Sequence, residues 1–185
     1  MRLEVPWRPL PAAQRAHDEP PPGDDPSSDG ETLAIASVRS FALVDGDRAN
    51  WPGLPTVPPT RVQWCHGAPG MVATAAPYLD EELLLAGAEL TWRAGAHGDE
   101  KGAGLCHGTA GSGYAFLKVF ARTGDERWLE RARRFAVHAL GQVERKRAED
   151  GRGRYSLFTG DPGVALFAAS CLDADPRFPI LDAWD

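Results

Sequence analysis

Cysteine is scarce in this chain: Cys65, Cys106 and Cys171 are the three among 185 residues. An odd, sparse set builds no disulfide framework, so in a reducing compartment these residues are core groups, metal ligands or nucleophiles. Long apolar runs are also missing. No stretch approaches the roughly 18 apolar residues of a membrane span, and residues 1–30 hold no apolar segment of signal-peptide type. There is no basic excess: the net charge of −6 argues against nucleic acid as the main partner. These absences lead to the expectation of a cytoplasmic protein without nucleic acid or membrane as partner. Nor does any segment alternate with period two over more than a few residues, so the expected class is all-α.

Proline and glycine, by contrast, are plentiful, and they punctuate the chain. Pro6, Pro9, Pro11, Pro20, Pro21, Pro22 and Pro26 forbid a continuous helix or a central strand over residues 1–30, which are expected to form a disordered or extended tail. The expected domain is 31–185. Helical spacing is read in Leu33, Ala34, Ser37, Val38, Phe41 and Ala42 over Glu31–Val44, ended by Asp45-Gly46-Asp47. A proline-rich loop is expected over 45–63. A helix opens near Pro69, is interrupted by Pro77, and gives way to another over about Leu79–Arg93. After a loop over Gly95–Gly104, a helix runs to Ala121. Gly124 suits a helix stop and Asp125 a helix start. From Glu126 to about Arg147 one face is apolar: Trp128, Leu129, Ala132, Phe135, Ala136, Ala139, Leu140 and Val143. A short helix ends near Cys171.

Three segments repeat. Cys65-His66-Gly67-Ala68-Pro69-Gly70, Cys106-His107-Gly108-Thr109-Ala110-Gly111 and Phe158-Thr159-Gly160-Asp161-Pro162-Gly163 each carry Gly-x-x-Gly and open a helix rich in small residues. Their spacing matches a helix–turn–helix unit, so the chain is expected to be an array of helical hairpins, ring or solenoid, with the glycine turns at one end. Glycine permits the tight turns and close backbone approach that crowded helix N-termini need.

Such an array brings equivalent positions together. Cys65, Cys106 and His107 are therefore candidate ligands of Zn²⁺: two sulfurs and one imidazole leave a tetrahedral position open, as in catalytic zinc sites. Soft thiolates disfavour Mg²⁺ and Ca²⁺, and helix N-termini favour thiolate over thiol. The competing reading makes both cysteines buried small apolar residues and His107 a satisfied polar group. His66, beside Cys65, is a candidate catalytic group or a turn histidine with a structural hydrogen bond. Lys101 is a candidate contact for an anionic substrate group or a solvated loop lysine; Arg152 and Arg154 are further cations in a Gly/Arg/Asp loop. His97, His138 and Cys171 are expected to be structural.

Taken with Trp64 before the first motif, Gly104-Leu105 and Tyr114-Ala115-Phe116-Leu117 around the second, Ser156-Leu157 before the third and Arg177-Phe178-Pro179 near the end, these motifs resemble the lanthionine synthetase C-like family, strongly from about Arg61 to Asp185 and more weakly from Glu31 to Pro59. The resemblance implies a partial (α/α) toroid with zinc on Cys65, Cys106 and His107. It implies activation of a thiol, from a peptide cysteine or glutathione, for addition to dehydroalanine or dehydrobutyrine, giving a thioether. Lys101, and Arg152 shortly before the Ser-Leu-Phe motif, would contact the thiol substrate. The family's upstream Ala-His-Gly motif has no counterpart here: Ala16-His17-Asp18 lacks the glycine, and no catalytic role passes to His17. The chain is thus expected to be an N-terminally truncated member with weak cyclase activity and apolar toroid edges open to self-association. The alternative is a zinc-holding scaffold or a peptide- or thiol-binding module. A toroid of the glycosidase kind would need paired carboxylates at the centre, and the glycine turns offer Asp161 alone.

Overall fold

The structure is a computed structural model that describes residues 8–9, 26–54 and 57–182. Among these it is mainly helical: α1 (Pro26–Ser40), α2 (Ala68–Ala75), α3 (Glu81–Ala94), α4 (Thr109–Thr123), α5 (Glu126–Asp150) and α6 (Asp161–Asp173). No described helix is long and apolar enough to cross a membrane.

The helix ends obey local chemistry. Asp80 caps α3 by accepting the Leu83 N–H at 2.8 Å, and Asp125 caps α5 by accepting the Arg127 N–H at 3.0 Å. Gly124, in the left-handed region, ends α4 with its N–H on the Phe120 carbonyl. One face of α5 is buried through Trp128, Ala132, Phe135, Ala139 and Gln142, a stripe at helical spacing. Leu140, expected on that face, falls off the stripe and is 41 % exposed; Gln142 is buried in its place.

Two expectations change at the N-terminal side. The helix expected over Glu31–Val44 runs instead from Pro26, a residue tolerated in a first turn, and stops at Ser40. Beyond it the chain forms a hairpin rather than a loop: β2 (Leu43–Asp45) and β3 (Arg48–Asn50) pair antiparallel with Val44 opposite Ala49. Gly46, at φ +59°, supplies the left-handed turn residue. A two-residue strand, β1 (Arg8–Pro9), adds to the other edge of β2. Three-residue strands are too short to show as period-two alternation, which is why the residue pattern did not reveal them. Apart from residues 8–9 and 26–30, the expected tail, His17 included, lies outside the described residues.

The helices form an arc of hairpins. The first helices α2, α4 and α6 lie side by side, α4 in the middle, with α3 and α5 behind them. From Thr109 to Leu117 α4 is buried all round, because small residues let its neighbours approach. At Gly113 a Cβ would sit 2.1 Å from the Phe167 ring of α6, so only glycine admits that contact. Behind α4, Phe116, Trp128 and Phe135 form a buried aromatic cluster edged by Trp92. Arg131 lies 4.5 Å from the Trp128 ring centroid and 4.8 Å from that of Trp92, and it pairs with Glu89 at 2.5 Å. At the far side of the arc, α6 exposes Leu166 and Leu172.

Candidate metal centre

The second glycine of each repeated motif explains how the three turns are built alike. A Cβ at Gly70, Gly111 or Gly163 would lie 1.9, 1.7 or 2.2 Å from the carbonyl oxygen of Trp64, Leu105 or Leu157 respectively. Each helix start is thus pressed onto the backbone just before the motif, which no side chain would allow. The turns are then stitched together. The Cys65 N–H donates to the Cys106 carbonyl at 3.0 Å, and the Cys106 N–H donates to the Phe158 carbonyl at 2.8 Å. Equivalent positions of three turns therefore stand in a row at one end of the arc.

This row brings Cys65, Cys106 and His107 together: one ligand atom from each lies within 4.8 Å of the others. All three are half-buried, and among the described residues no other His, Cys, Asp or Glu joins the group. Tetrahedral zinc with these ligands needs ligand–ligand distances of about 3.5–3.8 Å, so small side-chain adjustments would close the group around an ion. Burial pushes the Cys106 thiol above its ordinary range, and the Cys65 sulfur beside it adds to the effect. A cation between the two sulfurs would reverse this by favouring the thiolates. The donor set fits zinc, with one position left for a further ligand.

Cys65 is held more closely than its sequence suggested. Gln63 and His66 exchange backbone hydrogen bonds of 3.1 and 3.0 Å, so Trp64 and Cys65 form the tip of a tight turn. The buried Gln63 amide donates to Cys65 Sγ at 3.0 Å. His66 places Nδ1 3.2 Å from the same sulfur and is exposed on its outer side. Trp64 stacks on Phe178 of the closing segment, ring centroids 4.8 Å apart and planes within 10°. The first motif helix is anchored from a distance: buried Asn50, at the end of β3, accepts the Ala68 N–H at 2.7 Å. Neither Gln63 nor Asn50 was marked by the sequence, because each acts through a side-chain direction that exists only once the turn is closed.

The remaining candidates divide. Lys101 is exposed on the loop that leads into Cys106, and Arg152 is exposed between Gly151 and Gly153. Arg154 is tied to the third turn: its N–H donates to Asp161 and its carbonyl accepts the Asp161 N–H. Asp161 is paired with Arg147 at 2.7 Å, so the single carboxylate at the glycine turns is already neutralised. Cys171 is buried, and burial pushes its thiol up to about 12, as suits a structural cysteine.

His97 organises the Lys101 loop. Its Nε2 meets Ser112 Oγ at 3.0 Å, and its carbonyl accepts the Gln142 amide at 2.9 Å. Burial, then the charge of Lys101, holds the imidazole below its ordinary range. Folding thus disfavours protonation of His97, whereas the unfolded chain protonates it near its ordinary value of about 6.5. Stability contributed above that value is lost as pH falls through the folded value. The urea midpoint is therefore expected to drop between about pH 7.5 and about pH 5.5, and His97→Gln to flatten the drop.

The sequence profile of lanthionine synthetase C-like proteins matches residues 34–182. This chain belongs to that family. Among its relatives, the protein named Glutathione S-transferase LANCL1 of Danio rerio is 34 % identical over 131 residues, 65 % of this chain and 31 % of the relative. LanC-like protein GCL1 of Arabidopsis thaliana is 33 % identical over 130 residues, 64 % of this chain and 29 % of that relative. The matched region spans about a third of each relative's length. In this LanC-like chain the family match includes all three motif turns and the cysteine–histidine group.

Proposed function

We propose that the chain binds Zn²⁺ through Cys65, Cys106 and His107 and promotes addition of a thiol to a dehydroamino acid. The observation that carries this reading is the convergence of two sulfurs and an imidazole from adjacent, hydrogen-bonded turns. Zinc held by these three residues would supply a lowered pKa to a substrate thiol, so that a thiolate nucleophile exists at neutral pH. The chain's own residues do the rest. Gln63 fixes the Cys65 sulfur, and the Trp64–Phe178 stack fixes the turn that presents it. Lys101 and Arg152 are the exposed cations assigned to the anionic groups of a peptide thiol such as glutathione, a substrate class that accords with the name of the zebrafish relative.

In the reaction, one bond forms between the thiol sulfur and the β-carbon of dehydroalanine or dehydrobutyrine. The thiol gives up its proton, the double-bond electron pair moves to the α-carbon, and the α-carbon takes one proton in exchange, so the sum is a simple addition with no leaving group. His66, exposed beside Cys65, is the group this reading assigns to deliver that proton.

The test is incubation of the zinc-loaded chain with glutathione and a dehydroalanine peptide, followed by mass spectrometry. The expected product is the peptide plus one glutathione, formed faster than without protein and lost in Cys106→Ala. Zinc binding with no acceleration would reduce the role to a zinc-holding scaffold or thiol-binding module.

A further inference from the structure

A cavity of about 420 Å³ lies beside the first motif and reaches the cysteine–histidine group only through His66, the neighbour of Cys65. Trp51, Leu54, Val57, Pro58, Pro59 and His66 line it. The Trp51 indole N–H is fixed to the Val38 carbonyl at 2.7 Å, and the two prolines have no backbone freedom in φ. Arg61 is the one charged residue among the described residues of the lining.

His66 is the partition between this cavity and the cysteines. One edge of its ring, Nδ1, stands 3.2 Å from Cys65 Sγ. The opposite edge faces Gly53, where a Cβ would come within 3.3 Å of His66 Cδ2, so the glycine leaves the ring room. The width of one imidazole thus separates the cavity from the sulfur. A peptide advances roughly 3.3–3.6 Å per residue, so the cavity is within reach of a side chain one or two residues from a reactant held at the sulfurs.

We infer that the cavity is a specificity pocket for a bulky apolar side chain of the peptide substrate, within two residues of the reacting position. This rests on the thiol-addition reading and names the class of peptide it would take. The apolar and aromatic lining gains from burying such a side chain, and among its described residues no carboxylate selects a basic one. Arg61 suits the carbonyls of the peptide backbone as it leaves the pocket.

Two fluorescein-labelled peptides test this on the full zinc-supplied chain by fluorescence anisotropy: Gly-Gly-Phe-Cys-Gly and Gly-Gly-Ala-Cys-Gly. The phenylalanine peptide is expected to bind about tenfold more tightly. Val57→Asp, with its fold verified by circular dichroism, is expected to abolish the preference, since Val57 is partly exposed and lines the cavity rather than the core. Equal affinities, or a preference that survives Val57→Asp, overturn the assignment. The alanine peptide and the zinc content report on the thiol site alone. If those fail, the thiol-addition reading falls and the assignment of the pocket to a reacting peptide falls with it, even where the phenylalanine preference persists. If they hold and phenylalanine brings no gain, the pocket falls alone. Absence of binding by both peptides overturns both.

Discussion

The purified chain is expected to hold about one zinc ion, and Cys106→Ala to hold none. The argument is geometric. Each of Cys65, Cys106 and His107 contributes one ligand atom, all within 4.8 Å, and among the described residues no other His, Cys, Asp or Glu joins the group. Removing one of three leaves a sulfur and an imidazole, which cannot complete even the protein half of a catalytic zinc site. The turn itself should survive, since the Cys106 backbone N–H and carbonyl, not its side chain, join it to Phe158 and Cys65. Retained helicity with lost metal is therefore the expected signature of Cys106→Ala. Gln63→Leu should be milder: it keeps all three ligands but removes the hydrogen bond to Cys65 Sγ, costing about 10–100-fold in affinity. Metal analysis and competition with a chelator read both. A zinc-free wild type, or a Cys106→Ala variant that keeps its ion, would refute the site.

Gly111→Ala is expected to unfold the chain or come close to it. The added methyl would sit 1.7 Å from the Leu105 carbonyl oxygen, with the carbonyl carbon at 2.7 Å. No rotamer relieves this, because a Cβ has none and the obstacle is backbone. The start of α4 would have to move, and α4 is the helix that α2, α3, α5 and α6 all touch. A loss of about 4 kcal/mol or more is expected, against a typical total of about 5–15 kcal/mol for a domain. Gly141→Ala is the internal control. It sits mid-helix in α5, where a Cβ would meet only the end of the Arg145 side chain at 3.5 Å. There the higher helix propensity of alanine should add roughly 0.5–1 kcal/mol. Urea denaturation followed by circular dichroism compares the two, and a Gly111→Ala variant as stable as wild type would mean the turn is not built in this way.

Much of the architecture is legible in the residues alone. Gly124 and Asp125 mark helix ends through chemistry that reaches no further than one turn, and each does what its residue type requires. The repeated Gly-x-x-Gly pattern announces hairpins with their turns at one end, and the cysteines on two of those turns name the candidate ligands. The Gly46 hairpin escapes such a reading because its strands are too short for a periodic signal, and the start of α1 because Pro26 belongs as easily to a helix's first turn as to a tail.

Local residue chemistry set where the helices of the described domain run, that they are hairpins in series, and which residue types meet at the turns. Those properties depend on neighbours within about four positions or on a repeat that superposes by symmetry. Closure of the chain in three dimensions was needed to aim Gln63 at the Cys65 sulfur, to anchor the first motif helix on Asn50, to clamp Trp64 against Phe178 and to set His66 between the cysteines and a cavity. Each of these is a side-chain direction fixed by distant segments meeting at one turn, and no local pattern carries that information.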